Sequence, residues 1–138
     1  MIQTQAQLGD FLNLIKDETE LAIDTEFKWV STYFPQFCLL QIATKNAAEC
    51  IDILALEDLK PLFDKLYQPN VLWIAHAARN DIEVLFLHSK RLPEKVFDTQ
   101  IAVDLLKNLR PEDSNFGSSD FLEFQRPLHR NRMHRAAP

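Results

Sequence analysis

Two glycines in 138 residues leave no material for a glycine-rich phosphate loop, a flexible linker or a collagen-like repeat. Two cysteines, Cys38 and Cys50, are too few for a disulfide framework and lack the CxxC spacing of a metal knuckle; both read as small core or strand residues. No apolar run approaches the ~20 residues that a membrane span needs. The first ten residues hold no basic segment followed by a greasy one, so no signal peptide is expected and the cytoplasm is the expected compartment. What remains is an ordinary globular composition, 46% hydrophobic and 25% charged, in a length that suits one domain. The net charge of −5 is unevenly spread. Residues 1–125 carry 11 basic and all 20 acidic side chains, a balance of −9, whereas 126–138 carry Arg126, Arg130, Arg132 and Arg135 and no acid. An acidic body is a poor non-specific binder of phosphate. It can still process nucleic acid if its carboxylates hold divalent cations that meet the phosphates.

The hydrophobic pattern predicts the elements. Thr4 to Gln7 is a capping box, and Leu8, Phe11, Leu12 and Ile15 follow at helical spacing, giving a helix over about 5–16. Residues 21–27 read as a strand that turns polar at its end. Strands over 37–44 and 48–53 flank a Lys45-Asn46 turn suited to a hairpin. Residues 56–67 have helical period, with Pro61 tolerable only in the early turns. The run 71–75 is continuously apolar, as expected of a strand covered on both faces. A helix over 79–88 carries Ile82, Leu85 and Phe86, and Val96-Phe97 is a short strand. Asp98 then looks like the N-cap of a helix carrying Ile101, Ala102, Leu105 and Leu106. Meandering strands followed by β-α alternation imply an α/β fold, a mixed sheet with helices on both faces. After residue 109 the pattern decays, so the folded portion is expected over 1–110, with 111–138 an irregular loop and basic tail.

Asp24 and Glu26 sit two apart at the end of the first strand. A strand places i and i+2 on one face, so both carboxylates project together and Thr25 points away. The carboxyl ends of strands are where open α/β sheets bind ligands. Two charges ~6 Å apart at an effective dielectric of ~20 repel by roughly 2–3 kcal/mol, and a divalent cation between them removes the conflict. Oxygen ligands without His or Cys favour Mg²⁺ or Mn²⁺. The same Asp-x-Glu string also occurs at solvated strand ends. Asp81 shares a helical face with Leu85 and should tilt inward, although an Asp in a first helical turn also serves simply to complement the dipole. His76, at the end of the apolar strand, suits contact with a phosphate or base, or a capping hydrogen bond. Trp29, Tyr33 and Phe34 form an aromatic-rich loop that could stack on nucleobases or merely cover the sheet edge. Asp104 reads as solvated and His88 as a boundary residue of its helix.

Taken together, these segments resemble the ribonuclease D branch of the DEDD-type 3′–5′ exonucleases. Residues 21–27 (LAIDTEF) resemble the first exonuclease motif, and residues 32–36 (TYFPQ), continuing through Leu40-Gln41-Ile42, resemble the segment after it. Residues 76–85 (HAARNDIEVL) resemble the second motif, and 97–100 (FDTQ) a further landmark. The resemblance implies a ribonuclease H-like fold and two-metal phosphodiester hydrolysis. Asp24, Glu26 and Asp81 would be catalytic and metal-binding, with Mg²⁺ or Mn²⁺ as cofactor. Phe27, His76 and Tyr33 would contact nucleic acid, expected to be single-stranded RNA 3′ ends. The family's third motif, Tyr-x-x-x-Asp, does not occur: the two tyrosines are Tyr33 and Tyr67, and neither has an Asp four residues on. The C-terminal part is therefore expected to be incomplete, by truncation, frameshift or deletion, and the activity impaired. The arginine-rich tail could instead be a nucleic-acid-binding arm. A non-catalytic binding module and a non-functional gene fragment are the alternatives to the nuclease.

Overall fold

A computed structural model describes residues 1–29 and 34–109. The chain opens with helix α1 (Gln5–Leu14), where both halves of the capping box form between Thr4 and Gln7. Three strands follow: β1 (Glu20–Lys28), β2 (Gln36–Ala43) and β3 (Ala48–Asp52). A 3₁₀ turn at Ile53–Ala55 leads to α2 (Lys60–Leu66), then β4 (Leu72–Ala75), α3 (Arg79–Ser89), β5 (Lys95–Asp98) and α4 (Thr99–Leu109). The sheet order is β3-β2-β1-β4-β5. β1, β2 and β3 pair antiparallel, and β1, β4 and β5 run parallel. This is the mixed sheet that the element order implied.

Two readings of the sequence need correction. The helix expected over 56–67 begins only at Lys60, with Pro61 in its first turn and Asp58 Oδ1 accepting the Lys60 N–H at 2.8 Å. Proline is tolerated there because the first N–H groups of a helix have no intrahelical acceptor. The apolar run 71–75 implies cover on both faces. Instead Trp73 and Ala75 are buried while Leu72 and Ile74 are half-buried. The buried side chains of α1, α2 and α3, among them Leu8, Phe11, Leu62, Leu66, Val84 and Leu85, form one cluster with Leu21 and Ile23 of β1. β1 alternates as its sequence implies: Leu21, Ile23 and Thr25 face this core, and Ala22, Asp24 and Glu26 are half-buried on the other side. Readings that concern residues 110–138 lie outside the described residues.

The parallel arrangement decides where chemistry can occur. The carboxyl ends of β1, β4 and β5 point to the same edge, and Ala75 at the end of β4 pairs with Asp98 at the end of β5. β1 is longer than its neighbour and pairs with β4 only through Glu20, Leu21 and Ala22. Asp24, Thr25 and Glu26 therefore extend past the ladder, with main-chain groups on that side open to side-chain partners.

Candidate active site

α3 supplies the side chain that fills this position. Asp81, in its first turn, is 9% exposed. Its Oδ1 accepts the Thr25 main-chain N–H at 3.0 Å and the Thr25 hydroxyl at 2.5 Å. The alternation that turns Thr25 away from the two acids thus turns it toward Asp81. Burial pushes the Asp81 carboxyl above its usual range; the two Thr25 bonds oppose this, and the negative charge of Asp24 adds to the rise. Asp24 and Asp81, 57 residues apart in sequence, are linked through Thr25, which follows the first in the chain and bonds to the second. Asp24 is also held from the other side: its cross-strand partner Gln41, 5% exposed, donates from Nε2 to Oδ2 at 3.1 Å. Glu26 is the last residue of the regular β1–β2 register before a bulge at Glu26/Phe27, and its Oε1 is shut off from solvent.

The structure seats Asp81 on Thr25, the residue between Asp24 and Glu26 in β1. Among the described residues, no three His, Cys, Asp or Glu side chains converge tightly enough to hold a metal ion between them. The donor set is all carboxylate oxygen, the chemistry a hard divalent cation takes. In type the residues fit such a cation; in placement they do not form a closed cage.

His76 is exposed just beyond β4, with Nδ1 2.9 Å from Thr99 Oγ1. Phe27 is half-buried and meets Trp29 edge-on, with ring centroids 6.5 Å apart. Trp29 and Phe34 are exposed, at 69% and 57%, and Tyr33 lies outside the described residues. Asp104 is exposed, and His88 packs against the Phe37 ring with centroids 5.4 Å apart. Reading the sequence missed the supporting partners. Thr25 is flagged only by alternation, and Gln41 only by its place in a resembling segment.

A family model described as 3′–5′ exonuclease matches residues 1–115. The chain belongs to the 3′–5′ exonuclease family. It is 37% identical over 107 residues to ribonuclease D of Nitrobacter hamburgensis, covering 77% of this chain and 28% of that one. Among solved structures it is similar to Escherichia coli RNase D, an exoribonuclease involved in structured RNA processing. That match has 34% identity and a TM-score of 0.68 over 73% of this chain and 27% of the other. The catalytic core of RRP6 from Trypanosoma brucei matches with 29% identity and a TM-score of 0.67, over 75% of this chain and 29% of that one. The fold is thus the ribonuclease H-like one of these exonucleases, and the chain spans about a quarter of the length of the relatives it matches. No helix among the described residues is long and apolar enough to cross a membrane.

Proposed function

We propose that this chain carries part of a 3′–5′ exonuclease centre. Acting in the cytoplasm, it would release nucleoside monophosphates from the 3′ ends of single-stranded RNA. The observation that carries this reading is the pair of hydrogen bonds that seat Asp81, from one motif-bearing segment, on Thr25, between Asp24 and Glu26 of the other. In the reaction a water oxygen bonds to phosphorus, the bond to the preceding 3′ oxygen breaks, and that oxygen takes up a proton. Asp24 and Asp81, joined by Glu26, would hold Mg²⁺ or Mn²⁺. When bound, such cations activate water and stabilise the leaving oxygen. The chain's own contribution is placement. Thr25 fixes one oxygen of Asp81, and Gln41 fixes one oxygen of Asp24. His76 would meet a phosphate, and Phe27 with Tyr33 would stack on the terminal bases.

With no Tyr-x-x-x-Asp string in these 138 residues, the chain offers fewer groups than the family's full set. Losing members of such a unit costs orders of magnitude in rate, so hydrolysis by this chain alone is expected to be weak. The test is Mg²⁺- or Mn²⁺-dependent release of mononucleotide from a 3′-labelled single-stranded RNA, compared with Asp24→Ala. Release that is equal in the two sinks the catalytic reading. The lack of a three-carboxylate cluster among the described residues favours a second reading, a module that binds RNA without cleaving it. It expects salt-sensitive RNA binding that survives Asp24→Ala and weakens on deletion of residues 126–138.

A further inference from the structure

Asp98 reads from the sequence as an N-cap, and it is one: Oδ1 accepts the Gln100 N–H at 2.9 Å and the Ile101 N–H at 3.5 Å at the start of α4. The same carboxylate also reaches across to the loop between β4 and α3. Oδ1 accepts the Ala77 N–H at 3.1 Å, and Oδ2 accepts the Ala78 N–H at 2.9 Å. Ala77 has φ 55°, in the left-handed region that residues bearing a Cβ avoid. Ala78 is buried and stands immediately before α3, a helix that has no side-chain cap of its own. Asp81 follows three residues later. Asp98 thus acts on α3 from a different strand, holding the main-chain N–H groups that lead into the helix.

Thr99 reinforces the same junction. Its hydroxyl donates to the Ala75 carbonyl at 3.1 Å and lies 2.9 Å from His76 Nδ1. A hydroxyl has one hydrogen, so both contacts are hydrogen bonds at once only when it goes to the carbonyl. The His76–Thr99 contact therefore needs its proton on His76 Nδ1, which leaves Nε2 as the acceptor of the neutral ring.

We propose that Asp98 and Thr99 are positioning residues of the candidate site. They form a staple from the β5–α4 junction that sets the backbone entering α3, hence the place of Asp81, and fixes His76 as its Nδ1–H tautomer. The proposal rests on the nuclease reading only for what the site does.

The test is amide hydrogen exchange on the whole chain carrying Asp98→Ser. Serine keeps the N-cap of α4 but is too short to span to the other loop. The Thr25 amide reports on Asp81, because Asp81 is its acceptor. Exchange at Ala77, Ala78 and Thr25 should accelerate roughly tenfold or more, the scale of losing a charge-assisted hydrogen bond. Gln100 and Ile101 should stay near wild type, as should the β1–β2 ladder, which shows that the fold is intact. Asp98→Ala should accelerate the α4 amides as well. Wild-type exchange at Ala77, Ala78 and Thr25 in the serine variant would reduce Asp98 to a cap and overturn the proposal. So would faster exchange at the two alanines with Thr25 unmoved, because the staple would then not reach Asp81. For the second half, ¹⁵N spectra of the His76 ring should show the proton leaving Nδ1 in Thr99→Val and staying there in Thr99→Ser; an unchanged ring in the valine variant overturns it. Titration with Mn²⁺ alone, in wild type and Asp24→Ala, addresses the nuclease reading separately. Equal or absent uptake sinks that reading and leaves the exchange result standing.

Discussion

Asp81 and Asp98 stand at the same edge of the sheet, and both accept main-chain N–H groups, yet their surroundings move them in opposite directions. Asp81 is buried, takes one main-chain N–H and one hydroxyl, both from Thr25, and lies near the charge of Asp24. Burial wins there, and the carboxyl is held above its usual range. Asp98 is half-buried and takes four main-chain N–H groups. Its partial burial pushes the carboxyl up, but the donors from Ala78, Gln100, Ala77 and Ile101 outweigh this, and it is held below its usual range. The count of donors, set against the water lost, decides the outcome. The first carboxylate has fewer donors than its burial calls for. The second is already satisfied and suits a structural joint.

The largest effect should come from breaking what the two share, the seat of α3. Leu85 is fully buried beneath the helix that carries Asp81 and that Asp98 anchors at its start. Leu85→Ala should destabilise the protein by about 2–5 kcal/mol, the range for a buried leucine truncated to alanine. Urea unfolding followed by circular dichroism measures this. A midpoint close to wild type would mean that α3 is seated by the staple and by the Asp81–Thr25 hydrogen bonds rather than by its apolar face.

A smaller change separates the Asp81–Thr25 hydrogen bonds from the staple. Thr25→Val removes the hydroxyl donor and keeps the main-chain N–H, leaving the buried Asp81 with one Thr25 partner instead of two. The expected cost is about 1–2 kcal/mol at neutral pH. Because the lost donor served the ionised form, the cost should shrink in acid. Thr25→Ser should recover most of it. Equal destabilisation by serine, which keeps the hydroxyl and loses the methyl, would mean that the hydroxyl bond does not carry the effect.

How much of this was legible beforehand follows from the range of each interaction. The capping box at Thr4, the β2–β3 hairpin and the face shared by Asp24 and Glu26 are local patterns, and they formed where the sequence placed them. The inward tilt of Asp81 followed from its sharing a helical face with Leu85. The partner of Asp81 could not be read in the same way. Alternation shows that Thr25 points away from the acids, but only the docking of α3 across 56 residues supplies what it meets. Asp98 was legible as a cap because its α4 partners are two and three residues on. Its other two partners are 20 and 21 residues back, in a loop placed by parallel strand pairing. The late start of α2 and the half-buried Leu72 and Ile74 were misread for a related reason, since an apolar run states what can be covered and not what covers it.

The finest distinction between the two carboxylates is one of sign, and pH exposes it. The folded-state pKa of Asp81 is raised, so its stabilising contribution is full below the unfolded-state value and is lost as pH rises through the folded one. Asp98 is lowered, so its contribution is full above the unfolded-state value and is lost as pH falls through the folded one. Asparagine keeps an acceptor at either position but cannot ionise. Relative to wild type, Asp81→Asn should therefore become more favourable as pH rises from the acid range to neutral. Asp98→Asn should become less favourable over the same rise, because wild type gains stability as Asp98 ionises and the amide does not. Thermal melts of the two variants and wild type across that range compare the slopes directly. Two difference curves running the same way would mean that the edge of the sheet imposes one common field on both groups, and that the contrast between a poised carboxylate and a satisfied one is wrong.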